Sequence, residues 1–163
     1  MARVETSKLV VYPWLDLFSL VLDLKSYPQF VPHCRDVRLL SRRADEQTDT
    51  IVSRMTVGFA AFEVGYANRT TADLAGRQIH VEALDGPLRH LRARWSFEPR
   101  GEDRTLLRFS VDYEFSNPLL AAVASRAFAA MFGDIVGAFE RRAAQLFADK
   151  SRAAPVIAGP SPA

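Results

Sequence analysis

TLLRFSVDYEFSNPLLAAVASRAFAAMF, residues 105–132, changes its period in the middle. Up to Phe115, the apolar residues Leu107, Phe109, Val111, Tyr113 and Phe115 alternate with Arg108, Ser110, Asp112 and Glu114, the period of two of a strand with one wet face. After Ser116-Asn117-Pro118, the apolar residues Leu120, Val123, Ala127, Phe128, Met131, Ile135, Phe139 and Leu146 follow helical spacing to about Phe147. Asn117 is placed to cap this helix, and Pro118 suits its first turn, where a missing N–H loses no partner. A strand therefore runs straight into a long amphipathic helix, and the upstream chain must supply that helix's apolar partner.

The upstream chain keeps the period of two from Asp36 onward, which predicts six strands ending at Phe115. Turn-rich breaks fall at Ala44–Asp49, near Phe59–Ala61, and at Asp73–Arg77, Asp85–Pro87 and Arg100–Arg104. One face reads Ile51, Ser53, Met55, Val57 and Phe59, then Phe62, Val64 and Tyr66. It continues with Ile79, Val81 and Ala83, then Leu91, Ala93, Trp95 and Phe97. The other face carries Arg54, Glu63, His80, Glu82, Arg92, Arg94, Arg108, Asp112 and Glu114, so the sheet is antiparallel and wetted on one side. Gly58 and Gly65 interrupt strands, where they mark bulges or bends.

Before the sheet, Val4 and Thr6 alternate with Arg3, Glu5 and Ser7 in an opening strand. Pro13, preset for a first helical turn, precedes Trp14, Leu17, Phe18, Val21 and Leu22 at helical spacing. YPQFVPHC (27–34) then confines the chain to a short helix or turn, because Pro28 and Pro32 forbid a longer one. It is a stiff elbow that either presents Phe30 and Val31 as an apolar lip or plugs the core with Phe30. After Lys150 the chain is small, Pro-rich and aperiodic, so the reading is one domain over 1–148 and a disordered tail over 149–163.

Seven strands at ~4.8 Å spacing make a sheet roughly 33 Å wide. A single helix is ~10–12 Å across. The C-terminal helix covers about a third of the apolar face, so the sheet must curl around it and leave either packed side chains or a cavity. Ser125, Ala129, Gly133 and Gly137, four apart along that helix, form a ridge of small residues that reads either as close approach to a strand or as room for a ligand.

Composition narrows the partners. The 163 residues are 48% hydrophobic and 25% charged, with a net charge of +2 and both signs interspersed. That is a globular mixture without the concentrated basic footprint of a DNA-binding surface. No signal-peptide pattern opens the chain, and no apolar stretch is expected to reach the ~20 residues of a membrane-spanning helix. Cys34, the only cysteine, excludes an intrachain disulfide and reads as a buried structural thiol rather than a nucleophile activated by His33. Three scattered histidines and one cysteine lack metal-ligand spacing, so no metal is expected. By parity the carboxylates, His80 and His90 face solvent, which leaves Tyr66 and Tyr113, with Ser53, as the inward hydroxyls and no catalytic residue. Arg89, Arg92 and Arg94 form a basic strand face, solvated or set against anionic lipid headgroups.

The order β-α-α-β6-α matches the α+β helix-grip architecture of START-like and birch-pollen-allergen-like domains. YPQFVPHC after DLFSLVLDL, DGPLRHLRARWSFEP at 85–99 and DYEFSNPLL at 112–120 together resemble the coenzyme Q-binding, polyketide-cyclase-like branch of that superfamily, over residues 3 to 148. Relatives usually carry an aromatic residue where this chain has His33, and Phe often stands at Leu88. The resemblance implies a curved antiparallel sheet around the long C-terminal helix and a non-enzymatic carrier of a polyprenyl quinone such as ubiquinone, supporting respiratory electron transport. The quinone is then a ligand and not a catalytic cofactor. The apolar wall expected to hold it is Phe30, Val31, Met55, Phe59, Tyr66, Leu91 and Trp95, with Phe97, Phe109, Tyr113, Phe128, Met131, Phe132 and Ile135. The expected setting is cytoplasmic, with peripheral contact to the inner membrane or to respiratory and quinone-biosynthesis proteins. The resemblance leaves two other roles open: an aromatase or cyclase on a polyketide-like substrate, which this fold also hosts and which needs an ionisable residue inside the pocket, and a ribosome-associating toxin, a role assigned to relatives in the same branch.

Overall fold

The computed structural model describes residues 2–59 and 61–158, with side chains through Phe147 except that of Phe59. The chain runs β1 (Ala2–Val10), α1 (Trp14–Leu22), a 3₁₀ segment (Leu24–Gln29), β2 (Cys34–Ala44), β3 (Thr48–Phe59), β4 (Phe62–Asp73), β5 (Gln78–Ala83), β6 (Leu88–Pro99), β7 (Thr105–Phe115) and α2 (Pro118–Ala158). The strands form one seven-stranded curved sheet in the order β1-β7-β6-β5-β4-β3-β2, antiparallel throughout. Each of β2 to β7 pairs with its sequence neighbour by a short turn, and β1 closes the far edge on β7.

α2 lies along β1 and β7, and α1 wedges against α2 and β6. The helix therefore covers one side of the sheet, and the inner faces of β3, β4 and β5 look at its flank. The core beneath it is aromatic: the Trp95 ring lies 4.7 Å from Phe109 and 5.0 Å from Phe139, and Phe18 lies 5.3 Å from Phe97. Such edge-on and tilted contacts add to the burial of each ring.

Two sequence motifs act as fasteners. Asp85 accepts a hydrogen bond from the Ala67 N–H at 2.7 Å, tying the β5–β6 turn to β4. Gly86, at φ +93°, comes so close to β4 that a Cβ there would lie 2.6 Å from the Tyr66 Cβ. The Pro87 carbonyl then accepts from the Ser116 N–H (2.8 Å) and hydroxyl (2.9 Å), fixing the start of α2. Asn117 caps α2 through the Leu120 N–H at 2.9 Å.

Several expectations are corrected. Pro13 occupies the cap position of α1 and not its first turn. Gly58 and Gly65 lie in unbroken β3–β4 register, whereas the register shifts fall in β2 and at Leu88–His90 in β6. Gly58 instead makes room for the Arg35 side chain, whose Nε would collide with a Cβ there. The small ridge of α2 faces outward: Ser125, Ala129 and Gly133 are exposed, and a Cβ on Gly133 would meet nothing within 4 Å. Gly137, half-buried, has only Asp134 and Arg141 of the same helix near its Cβ position, so the ridge is not a close approach of α2 to a strand. α2 spans Pro118–Ala158 and so extends into the segment read as a tail. The rest of that expected tail, 159–163, lies outside the described residues. Over Pro118–Phe147, α2 is also long and apolar enough, by length and composition, to cross a membrane. In this fold Phe128, Met131, Ile135 and Phe139 of that stretch are buried inside the grip, while Leu119, Val123 and Leu146 are exposed.

Candidate ligand-binding cavity

Between α2 and the sheet lies a cavity of about 60 Å³. Its helix wall is Met131, Phe132 and Ile135; its sheet wall includes Met55, Val81, Leu91, Ala93, Trp95 and Phe109; Leu24, Tyr27 and Val31 close one end. A buried water needs roughly 10–15 Å³ of such space, so there is room for a few waters and not for a ring with a tail. The side chains fill more of the hollow than the width of the sheet suggested.

Of the residues expected to form this wall, Val31, Met55, Tyr66, Leu91, Trp95, Phe109, Met131, Phe132 and Ile135 line the cavity. Phe97, Tyr113 and Phe128 lie elsewhere in the core. Phe97 packs on Phe18, and Tyr113 and Phe128 pack on Phe115. The side chain of Phe59 lies outside the described residues. Phe30 also stands apart from the cavity. It packs edge-on against Phe139 at 4.9 Å, and the Arg142 guanidinium lies 5.2 Å over its ring. Arg142 also donates to Gln29 at 2.8 Å, so the elbow is strapped to α2 on its outer side. Of the elbow's two apolar residues it is Val31, 5% exposed, that reaches the cavity.

The elbow holds its shape through Tyr27, whose hydroxyl donates to the Val21 carbonyl and whose own carbonyl accepts from the Val31 N–H at 2.8 Å. Burial raises the Tyr27 pKa far above the free value, with smaller contributions from Cys34 and Asp23. Cys34 is buried, and desolvation, helped by Asp36, pushes its thiol up to about 12. That environment suppresses the thiolate. His33, at φ 66°, turns its Nδ1 toward the Gly58 carbonyl at 3.3 Å.

The cavity has one polar spot. Ser53, Asn68 and Thr70 are 1%, 3% and 2% exposed, and all line it with Tyr66. Ser53 and Asn68 are direct cross-strand partners, and Tyr66 and Thr70 flank Asn68 on the same face of β4. Asn68 Oδ1 is buried without a hydrogen-bond partner. Leaving such an acceptor unpaired costs about 1–3 kcal/mol. The Tyr66 hydroxyl points to the Met55 sulfur at 3.8 Å; burial raises its pKa, Cys34 adds to the rise, and a hydrogen bond with Asn68 opposes it. Among the cavity's lining residues there is no Asp, Glu, His, Lys or Arg. Among the described residues, no group of three or more His, Cys, Asp or Glu is placed to hold a metal ion.

In the sequence, the apolar alternation of β4 ends at Tyr66. Continuing the alternation reaches Asn68, Thr70 and Ala72, all of them buried. The signal was parity, masked by the polarity of the residues that carry it.

Comparison with known proteins places this geometry. The chain is 28% identical over 147 residues to the ribosome association toxin RatA of Escherichia coli K12, covering 90% of each chain. It is 24% identical over 145 residues to the mitochondrial coenzyme Q-binding protein COQ10 of Dictyostelium discoideum, covering 88% of this chain and 69% of that one. The solution structure of an 18 kDa protein of Caulobacter crescentus, 33% identical, superimposes with a TM-score of 0.72 over 91% of this chain and 99% of the other. Residues 10–140 match the polyketide cyclase / dehydrase and lipid transport family, and with its curved sheet closed on one long helix the chain belongs to that family.

Proposed function

We propose that the protein binds a polyprenyl quinone of the ubiquinone type in this cavity, without chemical turnover, and carries or presents it for respiratory electron transport. The observation that carries the reading is the apolar cavity between α2 and the sheet, walled by Trp95, Phe109, Phe132 and two methionines. Aromatic faces suit a quinone ring, and each buried methylene of its tail contributes about 0.8 kcal/mol. A ring needs more than the present 60 Å³. Met55 and Met131, flexible and unbranched, are the side chains suited to give way. The relative named for coenzyme Q binding supports the ligand class. The protein would work at the cytoplasmic face of the membrane, with the distal tail left in lipid.

Organic extraction and mass spectrometry of protein purified from a quinone-producing host test the reading. Prenyl quinone is expected in the wild-type extract and, in Val31→Arg, at a level reduced at least severalfold, because the arginine places a charge in the cavity wall. Absence of quinone from the wild-type extract, or an unchanged level in the variant, overturns it.

A second reading is ribosome association. It is favoured by the RatA relatives and by Arg92 and Arg94 on the outer face, which have no ion pair among the described residues. It requires ribosome binding that weakens steeply with salt and is lost in Arg92→Glu/Arg94→Glu.

A further inference from the structure

The geometry points to recognition of a ring hydroxyl: we infer that the cavity prefers a phenolic ligand, such as the reduced form of a quinone, over the same ring without an O–H donor. This rests on the reading above that the cavity takes an aromatic lipid.

The inner wall is apolar except on β3 and β4, where Ser53 and Asn68 face each other across the strands with Tyr66 and Thr70 on either side. Each of the four is 1–3% exposed, so bulk water does not serve them. The decisive atom is Asn68 Oδ1, an acceptor that receives no hydrogen bond. An isoprenoid chain brings it no donor. A quinone carbonyl can accept from the Ser53, Thr70 or Tyr66 hydroxyl, yet it too leaves Asn68 Oδ1 dry. A phenolic hydroxyl does both, donating to Asn68 Oδ1 while accepting from a neighbouring hydroxyl. One other molecule has the same capacity, a trapped water; were it retained when ligand binds, a hydroxyl on the ligand would confer nothing.

Calorimetric titration of the full chain with 4-pentylphenol and 4-pentylanisole decides between them, since the two probes share ring and tail and differ in the O–H. The wild type is expected to bind the phenol about tenfold more tightly, the worth of one buried hydrogen bond. Asn68→Leu is expected to bring the ratio near one. Ser53→Ala and Thr70→Val, which keep shape more closely, are expected to lower the ratio in part. Equal affinity of the wild type for both probes overturns the inference and leaves the apolar cavity standing. Binding of neither probe overturns both readings. A tenfold ratio that survives in Asn68→Leu, or in both hydroxyl variants should the leucine variant not fold, removes this polar group as its source.

Discussion

Gly86 shows how much one residue can hold in place. Its φ of +93° lies in the left-handed region that side chains avoid, and an added Cβ would come within 2.6 Å of the Tyr66 Cβ and 3.0 Å of the Gly65 carbonyl oxygen. Neither neighbour can swing aside, because both belong to β4 in the middle of the sheet. Gly86→Ala is therefore expected to destabilise the protein by more than about 1 kcal/mol, measured by urea denaturation; an unchanged midpoint would mean that the turn relaxes at no cost. The same position shows what a motif reading can reach. The Gly-Pro turn is visible in the sequence, but its contact with Tyr66, a residue of the cavity wall, exists only once β4 and the β5–β6 turn are brought together.

At the scale of elements, the elbow and α2 behave as one unit. Pro28 and Pro32 restrict the elbow's backbone, Tyr27 anchors it to α1, and Arg142 straps it to α2 through Gln29 and the Phe30 ring. Arg142→Ala removes both outer contacts and leaves the Tyr27 anchor. It is expected to speed hydrogen exchange at the Val31 amide by several-fold with a global stability loss of about 1 kcal/mol or less. Equal exchange in both proteins would show that the strap contributes nothing to closing that end of the cavity. Sequence alone recognised a stiff apolar elbow, yet it could not assign Phe30 and Val31 to opposite sides, because the turn that separates them has no period to follow.

Across the whole molecule, buried acids shape the response to alkaline pH. Cys34 is held near 12 by desolvation, and burial also raises Tyr27, Tyr66 and Tyr113. Each keeps its proton in the folded state at a pH where the unfolded chain has lost it, so their contribution is intact below the unfolded thiol's value of about 8.5 and declines as pH rises toward 12. The melting temperature is expected to fall steadily from about pH 8.5 to 11, and less steeply in Cys34→Ala. A flat profile would contradict the burial of these groups. What the sequence by itself determined was the order of elements, the inward face of most strands and the single helix that must cover them, because the periods of two and near four are local and each residue reports its own side. Only the tertiary structure decided how much of the hollow survives packing, that the small ridge of α2 faces out, and that Ser53, Asn68 and Thr70 share one buried pocket. Those outcomes depend on volumes and pairings contributed by strands and a helix far apart in the chain, and no local pattern contains them.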